Sequence, residues 1–393
     1  MAKFKTLVFA PIAAAALMAM APAHALSDRT ASPSLWSDGV GASGATPATS
    51  NGSAVTNWRL SPTAAFNGVT NAFDGTARLL FTTTEAAGTF VCSGSLMAGG
   101  EYVLTAAHCV DGLISMTVQF GLYNGSALQT RTVTQAITAP GWDGSLDTGA
   151  DIALVKLSAP VTGLHTYALS TTNDVGKQYI MTGYGSTTTG GSTSASGWGD
   201  SNYGHYGYNT FDTTSDVFTA AWDAKTGEGL YTAPTYGLTY VSDFDYYSAS
   251  STAAQRAQYN TLQRIADITG GDWTSGTSLG VSESLIAGGD SGGGDFIWDA
   301  ASGQWLLSGI HSWGWQFCPG RVGTSGSLVT GASCDYRTGN DTSFGDISGS
   351  TAVFNHVEWI NGVIGAVPEP ESYALMLAGL GLVGAIARRR RAA

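Results

Sequence analysis

Between residues 60 and 364 the chain is cut into short apolar runs, each closed by glycine, serine or asparagine, and this limits what it can fold into. The runs include Ala77 to Thr82, Tyr102 to Thr105, Met116 to Phe120, Ile152 to Leu157 and Gln304 to Ile310. Four to eight apolar residues bounded by turn formers read as strands, and many such strands in series read as an antiparallel sandwich or barrel. Strands alternating with helices are missing, which disfavours a doubly wound sheet. Two stretches read as helix: Thr252 to Ile268, and Val353 to Ile364, where Val353, Val357, Ile360 and Ile364 share a face. Residues 185–250, rich in Gly, Ser and Tyr, show no clear period. With 53 glycines and only 12% charged residues in 393, the chain is neither disordered nor coiled coil, since both need charge.

Both ends read as addresses. Lys3 and Lys5, an apolar stretch from Leu7 to Met20 and the small-residue signature Ala23-His24-Ala25 make a secretory signal over 1–25. Residues 26–59 are a polar leader or propeptide. At the other end, Val367-Pro368-Glu369-Pro370 precedes an apolar stretch from Tyr373 to Ala387 and the cluster Arg388 to Arg391. That order resembles the PEP-CTERM sorting tail of Gram-negative-type bacteria. The resemblance implies a tail over 365–393 with a short transmembrane helix, transient membrane anchoring and an exosortase-type partner. The protein is therefore expected to be exported, to the periplasm, cell surface or medium. Residues 26–367 carry 11 Lys and Arg against 27 Asp and Glu, an acidity that repels nucleic acid.

Three blocks carry chemistry. They are Thr105-Ala106-Ala107-His108-Cys109, then Asp151-Ile152-Ala153-Leu154, then Gly289-Asp290-Ser291-Gly292-Gly293 followed by Ser312-Trp313-Gly314. A serine hydroxyl attacks a carbonyl only if a neighbouring base takes its proton, and imidazole is that base near neutral pH. A carboxylate on the second ring nitrogen holds the productive tautomer. Gly289 can take backbone angles closed to other residues, setting its N–H beside that of Ser291 to hold an oxyanion. Asp143 and Asp147 lie near Asp151, and Asp147 is the alternative carboxylate.

In content and in the order His, Asp, Ser, these blocks resemble the chymotrypsin-type (trypsin-like) serine proteases. The resemblance covers about 60–364, with an insertion at about 186–280. It implies two six-stranded antiparallel β-barrels and a C-terminal helix, with His108, Asp151 and Ser291 as catalytic residues and the Gly289 and Ser291 amides as oxyanion hole. It further implies a substrate-pairing edge at Ser312, Trp313 and Gly314, a pocket base at Leu285, and Asp290 as the partner of a newly cut N-terminus. By distance from Cys92, that terminus would fall at Phe66-Asn67-Gly68-Val69. It implies the bridge Cys92–Cys109, which leaves Cys318 to pair with Cys334. No metal or other cofactor is called for.

An uncharged Leu285 cannot pair a buried cation. The expected substrates are therefore proteins or peptides with apolar or small residues before the cut. The rival reading is a non-catalytic surface protein that binds extracellular polymer on the same scaffold. His311 lies beside the substrate edge and is a candidate to line a subsite, whereas His165, His205 and His356 read as structural.

Overall fold

The computed structural model describes residues 29–30, 58–185, 187, 200, 202–245, 252–276, 279–315 and 344–365. The signal segment, most of the leader, Cys318, Cys334 and the tail with its expected span lie outside them. Among the described residues no helix is long and apolar enough to cross a membrane.

The first strands are short: β1 (Arg29–Thr30), β2 (Ala65–Phe66) and β3 (Val69–Thr70). β2 and β3 form a hairpin. Asn67 (φ 49°) and Gly68 (φ 82°) supply the two left-handed residues such a turn demands.

Six strands then close a barrel: β4 (Thr76–Thr83), β5 (Phe90–Leu96), β6 (Tyr102–Thr105), β7 (Leu113–Tyr123), β8 (Ser126–Thr138) and β9 (Ala153–Leu157). The order is β4-β5-β6-β9-β8-β7, with β7 returning to β4. Alternation decides the inward face: Ala77, Leu79 and Phe81 of β4 are buried, as the period of two along a strand requires. Leu79, Val103, Val118, Phe120 and Leu154 are fully buried at its centre, each worth roughly 1.5–3 kcal/mol. Cys92 of β5 is bonded to Cys109, which sits in a 3₁₀ turn spanning Ala107–Val110.

The second sheet has nine strands. The new ones are β10 (Ala168–Leu169), β11 (Gln178–Gly183), β12 (His205–Thr210), β13 (Thr213–Thr214), β14 (Thr239–Asp243), β15 (Gly294–Asp299), β16 (Gln304–Trp315) and β17 (Ile347–Ala352). Its path is β12-β11-β15-β16-β17-β14-β13, with β1 and β10 both paired to β16. The all-β expectation holds, but only the first sheet closes: the second is an open, curled half-barrel among the described residues. Its outer strand β13 is two residues long and gives way at once to helix α1 (Ser215–Thr226). Too little strand is left there to reach back to β12.

Residues 186–280 are not wholly an insertion, because β12, β13 and β14 fall inside them. The helix expected over Thr252–Ile268 is two, α2 (Ala253–Tyr259) and α3 (Thr261–Thr269). Asn260 divides them: its side chain accepts from the Gln263 N–H at 3.0 Å, capping α3. The terminal helix begins as a 3₁₀ turn at Val353–His356 and continues as α4 (Val357–Gly365), with Val353 and Ile360 buried.

Candidate active site

Residues from both sheets meet at Asp151, which sits in the loop before β9 and is fully buried. Its Oδ1 accepts the His108 backbone N–H at 2.9 Å, and its Oδ2 lies 2.8 Å from His108 Nδ1. The short 3₁₀ turn, stapled by the disulfide, points the imidazole along this carboxylate. Neither alternative reaches it: Asp143 accepts from the Ser145 N–H and Asp147 from the Ser215 hydroxyl.

A third donor comes from the other sheet. The Ser312 hydroxyl donates to Asp151 Oδ2 at 2.5 Å. The β16–β17 register slips between His311 and Trp313, and a bulge of this kind re-aims a side chain. Ser312 thus joins the carboxylate, a contact that its expected place on the substrate edge did not foretell. Thr351 adds a bond to the Asp151 carbonyl at 3.0 Å. Burial disfavours the charged form of His108, yet the Asp151 charge and hydrogen bond outweigh it, with help from Asp111. The His108 pKa therefore stands above its ordinary value. The ring's Nε2 is buried and makes no hydrogen bond among the described residues.

Ser291 is held through its backbone against β5 and the turn that carries His108: its carbonyl accepts the Ser93 N–H at 2.7 Å, and Cys109 Sγ lies 3.6 Å from it. Gly289 has φ 100°, and its carbonyl takes the Ser93 hydroxyl at 2.9 Å. At Gly292 (φ 79°) a Cβ would sit 2.0 Å from Thr105 Oγ1, so no side chain fits where the turn meets β6. The carboxylate of Asp290 is turned away from the cleft, accepting the Gly185 N–H at 2.7 Å and the Ala287 N–H at 2.9 Å. Burial pushes its pKa up to about 7. Phe66–Val69 is a hairpin whose Phe66 carbonyl accepts from Trp305.

Leu285 is fully buried and packs with Phe244 and Phe344. Trp313 is fully buried, and Gly314 pairs with Ser348 of β17. On the opposite side of β16, β1 runs antiparallel, Thr30 facing Gly314 and Arg29 facing Trp315. His165 pairs with Asp74 and His205 with Asp200, while His356 meets the Gly149 carbonyl. His311 is buried, with both ring nitrogens occupied by protein groups, so it lines no subsite. Cys92, His108 and Cys109 present ligand-type atoms within 4.8 Å of one another. Because the two sulfurs are bonded to each other, they are not thiolate ligands. A groove of about 580 Å³ lined by Phe66, Tyr206, Tyr208, Trp298 and Trp305 includes none of His108, Asp151 and Ser291.

A closed barrel beside a curled half-barrel, with a His–Asp pair from one and a glycine-flanked serine from the other, defines the chymotrypsin-like class. Comparison with known proteins agrees: residues 67–227 match the Trypsin family model, and residues 366–391 match the PEP-CTERM protein-sorting motif. Over 67–227 the chain is therefore similar to the trypsin family, and over 366–391 to the sorting motif.

Among its relatives, brachyurin of Leptuca pugilator is 34% identical over 24% of this chain and 45% of its own length. Chymotrypsin-like elastase family member 1 of Canis lupus familiaris is 36% identical over 19% of this chain and 31% of its own. A trypsin-like protease of Streptomyces glaucescens is 28% identical over 57% and 65%. The chain thus spans less than two thirds of each of these relatives. A solved collagenase structure overlays 77% of this chain and 96% of its own at 19% identity and a TM-score of 0.44.

Proposed function

We propose that this chain is an exported serine endopeptidase in which Ser291 attacks the peptide carbonyl. His108 takes the hydroxyl proton on Nε2 and returns it to the leaving amine. Asp151 holds the ring with Nδ1–H inward and offsets the imidazolium charge. The amides of Gly289 and Ser291 receive the oxyanion, and losing one such donor typically costs about 10²–10³-fold in rate. Water, activated by the same imidazole, then releases the acyl group. Nucleophile–base hydrogen bonds often form only with substrate present, which accounts for the unpaired Nε2.

The observation that carries this reading is the double contact of Asp151 with His108, beside a serine whose carbonyl meets Ser93 of β5 and Cys109 of the histidine's turn. The sorting motif supports export and handling by an exosortase-type enzyme. Leu285, with Phe244 and Phe344 around it, supports apolar or small residues before the cut, and Gly314 leaves the pocket mouth open. The test is a fluorophosphonate probe on the exported protein. Labelling that disappears in Ser291→Ala, alongside cleavage of apolar sites in a peptide library, is the expected result. Correctly processed protein that takes no label would refute the reading.

A further inference from the structure

The pair His311–Asp295 lies behind the nucleophile, and the triad does not use it. Both residues are fully buried. His311 Nε2 lies 2.7 Å from Asp295 Oδ1, and His311 Nδ1 lies 3.0 Å from the backbone carbonyl of Asp290. A carbonyl can only accept, so Nδ1 carries a proton. A carboxylate likewise only accepts, so with Asp295 ionised Nε2 carries one too. The ring is then an imidazolium wedged between a carboxylate and a peptide oxygen. Its backbone clamps the same turn: the Gly292 N–H donates to the His311 carbonyl at 2.8 Å, and the His311 N–H to the Gly293 carbonyl at 2.9 Å.

The peptide so gripped is the one joining Asp290 to Ser291. In a planar trans peptide the C=O and the next N–H point in opposite directions. Fixing the Asp290 carbonyl therefore fixes where the Ser291 N–H points, and that N–H is an oxyanion donor in the proposed mechanism. The Gly293 N–H also donates to this carbonyl at 2.8 Å. Bonds in series polarise one another, so the Ser291 N–H becomes a better donor.

We infer that His311 is a positioning residue that, held in its doubly protonated form by Asp295, locks the Asp290–Ser291 peptide so that the Ser291 N–H faces the oxyanion. This rests on the endopeptidase reading of the same site. The lock uses no chain terminus. Asp290, the residue expected to await a new ammonium, has backbone N–H groups on both carboxylate oxygens. The groups facing the imidazole are Asp290 and Asp295, with Tyr179 close enough to Asp295 to feel its charge. When the ring loses one proton, the remaining one is drawn to the carboxylate, leaving a lone pair at Nδ1 opposed to the Asp290 carbonyl. The lock therefore opens on the alkaline side.

The experiment is steady-state kinetics against pH on the full mature protein, with circular dichroism at each pH and fluorophosphonate labelling of the wild type first. Without labelling the endopeptidase reading fails; the outcomes below concern the lock alone. In the wild type, kcat falls on the alkaline side while the fold is intact and KM stays within about twofold. Asp295→Asn removes the charge that holds the second proton, and it moves that limb. In the Asp295→Asn background, His311→Ala lowers kcat by about ten- to a hundredfold, within the roughly 10²–10³-fold range for an oxyanion donor. His311→Asn, which places an N–H donor where Nδ1 lay, recovers most of the loss. A limb unmoved by Asp295→Asn, or Ala and Asn variants of equal kcat, would overturn the inference. Should the variants not fold, a wild-type kcat that stays flat until alkaline unfolding overturns it equally.

Discussion

Under the proposed mechanism, the Asp151–His108 contact sets the sign of the acid dependence. General base work needs the neutral ring, and the pKa of His108 is raised, so activity falls as pH drops through a value above the ordinary one of about 6.5. Asp151→Asn leaves burial as the main influence, and burial favours the neutral ring. The imidazole pKa is then expected below its ordinary value, with a loss in kcat of about 10⁴-fold. The acid limb of kcat/KM in the wild type and NMR titration of the His108 ring in both proteins check this, and an imidazole that titrates alike in both would contradict it. His108, Asp151 and Ser291 were legible in the sequence because their chemistry demands close neighbours: a cysteine to staple the turn, an apolar strand after the carboxylate, glycines around the nucleophile. Ser312 and His311 were harder to read. Their roles depend on a register slip in β16 and on a carboxylate sixteen positions upstream at Asp295. The available signal was an acid just ahead of Phe296-Ile297-Trp298 in β15 and a lone imidazole in the apolar run of β16.

At the scale of elements, the expected runs became β4, β6, β7, β9 and β16, with ends shifted by at most five residues. A strand buried on one face announces itself by composition. The strands between 205 and 243 did not, because Gly, Thr and Tyr fill β12 to β14 and their burial comes from partners distant in sequence. The helix pair α2–α3 was read as one because Asn260 costs little within a helical period, while its capping role appears only in the fold. Strand β1 carries a prediction of its own. It pairs antiparallel with Gly314 and Trp315, the edge along which an extended peptide would add as a strand. Under the proposed function, a substrate would have to displace Arg29–Thr30 to bind there. Protein beginning at Trp58 is therefore expected to have a lower KM, by roughly severalfold since only two residues pair, with kcat unchanged. Initial-rate measurements on trimmed and untrimmed protein decide it, and equal KM values would remove the leader from the cleft.

Over the whole molecule, the second half-barrel is loaded with buried acids whose titration governs stability against pH. Burial raises the pKa of Asp212 well above the carboxylate range and that of Asp243 to about 6. Asp245 is pushed up by burial, then by the charges of Asp243, Glu283 and Asp212. A group whose folded pKa exceeds its unfolded one stabilises the fold at low pH, and that contribution is lost as pH rises through the folded value. His108 and His311, also raised, act with the same sign. The lowered carboxylates Asp174 and Asp200 finish titrating below the ordinary carboxylate range. The lowered histidines His205 and His356 are neutral in both states well above pH 6.5. Between pH 7 and 9 the opposing groups are therefore silent, and the melting temperature is expected to fall. Asp245 is the residue to change, because it is nearly fully buried and its Oδ1 makes no hydrogen bond among the described residues. An amide there keeps the shape and cannot ionise, so Asp245→Asn should flatten the decline and raise the melting temperature at pH 9. A gain of about 1 kcal/mol corresponds to roughly 2–4 °C in a domain of this size. Calorimetry of both proteins at pH 7 and 9 reads the effect directly, and a wild type that melts higher at pH 9 than at pH 7 would mean that these carboxyls do not carry the strain assigned to them.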